Sequence, residues 1–139
     1  MDRGGVNTSA LPAGMVLLPA QGSVADAWTR LEAAVAERGV MVFARIDFAS
    51  DAAAVGMYLR PTRLLVFGNP RAGTPLLAAA PTAGIDLPLK VLIWEDAQGR
   101  VAVGYNSPAW IGARHEVPEE LRAKLLPVEQ LAAIAAGNT

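Results

Sequence analysis

The sequence predicts an α+β fold of two layers, a mainly antiparallel sheet with helices packed on one face. Three observations carry that prediction. Val24, Ala27, Trp28, Leu31 and Val35 recur at helical spacing and are followed by the β-branched and aromatic run Val40–Asp47. The apolar runs Leu89–Glu95 and Arg100–Tyr105 flank Asp96-Ala97-Gln98-Gly99, and a turn that short joins only antiparallel strands. Helical patterns lie between the earlier strands and after the hairpin, and beside an antiparallel sheet they form a second layer on one face.

Taken in order, residues 1–13 carry no periodicity and read as a loose tail, and 14–137 as a single domain. Met15–Leu18 predicts a short strand. Ser23 offers a helix cap, with Asp26 three residues on as its reciprocal partner, and Gly39 supplies the stop. In the strand Val40–Asp47, simple alternation puts Val40, Val42, Ala44 and Ile46 on one side and Met41, Phe43, Arg45 and Asp47 on the other. Asp51–Met57 is alanine-rich and predicts a short helix. Leu64–Phe67 predicts a strand. Gly68 to Pro75 is dense in chain breakers and reads as a loop, with a helix over Leu76–Ala80 starting near Thr74. Pro81–Pro88 reads as loop and the hairpin follows. Ser107 and Pro108 open a helical turn through Trp110 and Ile111. Pro118–Leu125 and Val128–Ala136 read as helix interrupted at Pro127, burying Leu121, Leu125, Leu131 and Ile134.

Composition bounds the function. The 139 residues are 53% hydrophobic and 18% charged, against about 25% charged in ordinary globular domains. A chain this short and apolar is expected to cover its surplus surface by forming a homodimer. A net charge of −1 with interspersed signs argues against nucleic acid and anionic membrane as partners. No apolar run approaches the ~20 residues that span a bilayer. With no cysteine there is no disulfide, thiolate metal site or cysteine nucleophile. A secretion-signal reading of Ala10–Ala20 is broken by Pro12, Gly14, Pro19 and Asp2, so the default placement is cytoplasmic.

The candidate ligand surface is the corner Gly68–Thr74, where a strand runs into a helix start. Free N–H groups and the helix dipole there suit an anion, and Asn69, Arg71 and Thr74 add donors. The spacing matches neither a phosphate-binding loop nor a dinucleotide fingerprint, so the same residues also fit a plain turn. Asp47 and Asp86 are the candidate carboxylates, and either also fits a structural cap. His115, the single histidine, can act as acid or base near neutrality, or sit exposed. One histidine supplies no two-histidine metal motif, so no metal site is expected. Trp94 reads as core, and Trp110, on a short turn, as an interface residue. No serine stands in a Gly-x-Ser-x-Gly context.

The linked phrases FGNP-x-AG-TPL and DLPLK, with FARID before them and YNSPAW and ARH after, resemble the bacterial and archaeal family called domain of unknown function 302, over about Val42 to His115. The resemblance implies a two-layer α+β fold of the TATA-binding-protein-like class, usually a homodimer, and no established activity or cofactor. Family members often carry histidine directly after the Ile-Asp pair, where this chain has Phe48. The donor-rich helix start and the shortage of paired catalytic groups make the expected function a homodimeric module binding a small ligand, anions included. The alternatives are an enzyme using Asp47 or Asp86 with His115 as acid–base groups, or a structural, partner-docking module.

Overall fold

The computed structural model describes residues 11–138, so most of the expected loose tail lies outside the described residues. The strands are β1 (Met15–Pro19), β2 (Met41–Asp47), β3 (Thr62–Gly68), β4 (Leu89–Glu95) and β5 (Val101–Asn106). The helices are α1 (Val24–Arg38), α2 (Phe48–Ala54), α3 (Pro70–Ala79), α4 (Pro108–Arg114) and α5 (Pro127–Ala136), with 3-10 turns at Pro81–Ile85 and Glu119–Leu125. The strands form one sheet in the order β1-β5-β4-β3-β2, and every neighbouring pair is antiparallel.

Helix α1 forms where its caps demand it. Ser23 Oγ accepts from the Asp26 N–H at 3.0 Å, and the Asp26 carboxylate accepts from the Ser23 N–H at 3.0 Å, so two otherwise orphaned donors are satisfied. Gly39, left-handed at φ 64°, closes the other end. The apolar stripe of α1 packs with Val128, Leu131, Ala132 and Ala135 of α5 onto Leu65, Phe67, Val91, Ile93, Val101 and Val103, which share one sheet face. This is the main core.

The alternation expected in β2 is broken by a bulge between Val42 and Ala44. Val42 pairs with Phe67, but Ala44 pairs with Val66 and Ile46 with Leu64, so Val42 and Ala44 face opposite sides. The slip has a physical reason: it carries Arg45 to the helix-covered side, where its guanidinium grips Glu32 of α1 at 2.6 and 3.0 Å. Two helix starts also differ from expectation. Asp47 turns from last strand residue into cap, accepting from the Ser50 N–H at 2.9 Å, so α2 begins at Phe48. Likewise Asn69 caps α3 by accepting from the Arg71 N–H at 3.0 Å, with Pro70 in the first helical position. The presumed loop is therefore already helix, and Pro75 lies inside it. Burial of Leu76 and Ala80 holds this weak helix former in place.

A second apolar cluster joins α3, the turn Pro81–Ile85 and α4 through Leu76, Ala83, Ile111, Val117 and Leu125. Trp110 packs on this cluster, and Trp94 lies outside both buried clusters. Trp94 lies on the sheet face opposite α1, half-buried beside Gly104.

Candidate functional site

The second cluster positions the polar groups that stand out. The turn Pro81–Ile85 buries Ala83 and α4 buries Ile111 in the same apolar contact, which brings their polar flanks together. Asp86 ends the turn and His115 ends α4. His115 Nε2 lies 2.6 Å from Asp86 Oδ2, and His115 Nδ1 lies 2.9 Å from Thr82 Oγ1. Arg114 donates to the same Asp86 oxygen at 2.8 Å, with its guanidinium over the Trp110 ring. The Lys90 ammonium donates to the Asp86 backbone carbonyl at 3.3 Å.

Burial is deepest at the middle of the series. The His115 side chain is 5% exposed and that of Asp86 13%, whereas Thr82 is open to solvent. Burial pushes the Asp86 carboxyl up, but hydrogen bonds from His115 and Arg114, with the Arg114 charge, outweigh it and leave the group below its ordinary value. An ionised carboxylate only accepts, so His115 must donate from Nε2. In the neutral imidazole Nδ1 is then the acceptor, and the Thr82 hydroxyl donates to it.

The Gly68–Thr74 corner is open at a rim, as expected. Beneath it lies a cavity of about 420 Å³, walled by apolar side chains such as Phe43, Phe67, Leu76, Leu87 and Leu125. Asn69 and Thr74 line it, and Lys124 adds a cation. Arg71 is exposed and lies outside the lining. Gly84 and Leu87, which flank Asp86, also form part of the wall.

Asp47 joins neither site. It pairs across β2 and β3 with Arg63, which pairs with Ile93, while Asp86 lies beyond the other end of β4. The stretch Leu89–Ile93 alone separates them by roughly 13 Å at strand rise. The expected alternative of Asp47 with His115 is thus corrected: only Asp86 meets the histidine. Asp47 instead borders a second, more open hollow of about 650 Å³ with Ser23, Tyr58, Arg63 and Glu95. Phe48, where family members often have histidine, begins α2 at this same end and is partly exposed. No group of three or more His, Cys, Asp or Glu able to hold a metal occurs among the described residues.

Thr82 was missed by sequence reasoning, and no spacing signal could have found it, since it stands 33 residues from His115. Arg114 was visible only as a neighbour in Ala113-Arg114-His115.

Comparisons agree with this architecture. A fluoride-specific ion channel of Brucella suis, FluC 1, is 39% identical over 109 residues, covering 78% of this chain and 43% of that protein. A second, FluC 2 of Brucella melitensis, matches at the same identity over 40% of its length. The chain thus spans well under half the length of the curated relatives it matches. The crystal structure of an uncharacterised conserved DUF302 protein from Bacillus stearothermophilus superposes with a TM-score of 0.72 at 16% identity, covering 91% of this chain and 98% of that one. Among the described residues no helix is long and apolar enough to cross a membrane. The family model for the domain of unknown function DUF302 matches residues 17–133, and the chain belongs to that family.

Proposed function

We propose that this domain is a binding module for a small amphipathic ligand, with the apolar body seated under the Gly68–Thr74 corner and an anionic end toward Asn69, Thr74 and Lys124. The observation that carries the reading is the cavity of about 420 Å³, which lies in the range of small-molecule sites and has mainly apolar walls with a few polar groups. It favours, among the small ligands expected, an anion with an apolar portion. A ligand bound only by the native state raises the melting temperature. Medium-chain carboxylates should therefore raise Tm, the matched alcohols less so, and Lys124→Gln should remove the difference. Ala72→Leu, which fills the cavity from α3, should abolish both responses. No shift from any chain length would refute the reading.

A second reading, acid–base catalysis by Asp86 and His115, is favoured by their 2.6 Å contact. The named activity of the Brucella relatives, fluoride conduction, resides in proteins more than twice the length of the match. It supports for this chain an accessory role beside such a channel, and fluoride salts in the same thermal panel test for a direct effect. We further take the domain to act as a cytoplasmic homodimer, joined through the sheet face that α1 and α5 leave bare.

A further inference from the structure

We propose that Thr82 is a nucleophile, activated by His115 and oriented through Asp86, that accepts the acyl group of small esters with an apolar acyl chain. This inference rests on the acid–base reading of Asp86 and His115 and adds the atom that attacks. Three side chains stand in series, hydroxyl to imidazole at 2.9 Å and imidazole to carboxylate at 2.6 Å. With the imidazole neutral, the hydroxyl donates to Nδ1, because the carboxylate holds the proton on the other nitrogen. A purely structural staple has no need of an exposed end, yet Thr82 faces solvent while the imidazole behind it is nearly buried. On the same turn as Thr82, Ile85 is exposed and Gly84 lines the apolar cavity with Leu77 of α3 close by, which favours an apolar acyl chain.

In the acylation step the Thr82 Oγ1–carbon bond forms as its proton passes to His115 Nδ1. The ester carbon–oxygen bond then breaks, and the alcohol leaves with that proton. In the second step water adds its oxygen to the acyl carbon, His115 takes a proton from the water, and the Thr82–carbon bond breaks. The proton returns to Thr82 and the carboxylic acid departs. His115 is the general base and acid. Asp86, held by Arg114, touches no reacting atom and is a positioning residue.

The test uses the full chain with p-nitrophenyl butyrate as ester, following nitrophenolate release and mapping butyryl groups by peptide mass spectrometry. The expected result is a butyryl group on Thr82, absent in Thr82→Ala and regained in Thr82→Ser. His115→Ala should slow acylation on the order of a hundredfold or more, with partial rescue by free imidazole. Asp86→Asn should lower kcat at unchanged KM and Asp86→Glu should restore part of it, with rates taken per folded molecule from far-UV circular dichroism and Tm recorded for every variant. Labelling that is absent, or that is untouched by Thr82→Ala, overturns the proposal. Hydrolysis that survives Thr82→Ala but is lost in His115→Ala overturns the nucleophile alone and leaves the acid–base reading standing. Loss of neither removes both.

Discussion

Asp86 concentrates the electrostatics of the molecule, because one carboxylate oxygen receives both the His115 ring and the Arg114 guanidinium. Its folded value lies below the unfolded one, so the unfolded chain binds the proton more readily. The contribution to stability is therefore complete above the unfolded carboxylate range of about 4 and is lost as pH falls through the lower folded value. Asp86→Asn should flatten this part of the acid limb in urea titrations between neutral and strongly acidic pH. Asp86→Ala should cost about 1–3 kcal/mol at neutral pH, since it strands a nearly buried imidazole without its partner. Equal acid sensitivity of wild type and Asp86→Asn would show that the cluster is not coupled to folding. The carboxylate and the histidine were both legible as candidates. Their pairing was not, because they stand 29 residues apart in the chain and only the shared apolar contact of Ala83 with Ile111 brings them together.

At the scale of single elements, α1 and α3 make opposite cases. Everything that starts and stops α1 lies within a few residues of it: Ser23, Asp26, the stripe from Val24 to Val35, and Gly39. Ser23→Ala should cost about 1 kcal/mol by removing the cap. Gly39→Ala should cost about 1–2 kcal/mol despite open space around it, because φ is 64° and an L side chain pays for the left-handed region. Gly39→Asn should recover part of that loss, and chemical denaturation resolves all three. Helix α3 was misplaced because Gly73 and Pro75 argue locally against it. Its start is decided by the Asn69 cap with Pro70, and its persistence by burial of Leu76 and Ala80 among distant residues. The bulge in β2 is of the same kind, since the grip of Arg45 on Glu32 is a contact between elements.

For the whole molecule, the main consequence is an unequal sheet. One face is sealed by α1 and α5. On the other, register aligns Ile46, Leu64, Leu92, Gly104 and Leu17 in a row across all five strands, and their large side chains stay partly open to solvent. Apolar surface of this kind is the physical content of the expected homodimer. Leu92→Lys, at the centre of the row, should shift the protein from dimer to monomer in analytical ultracentrifugation at unchanged helix content. A wild type that sediments as a monomer at every concentration would dismiss the dimer.

Periodicity and local caps were enough to specify the α+β class, the antiparallel hairpin, α1 and the solvent-open corner at Asn69, because each depends on neighbours in the chain. Tertiary structure alone decided which carboxylate meets His115, that Thr82 joins them, and that the corner roofs an apolar cavity. Those arrangements arise where separate segments bury apolar residues together and carry their polar flanks along, and no pattern within one segment encodes them.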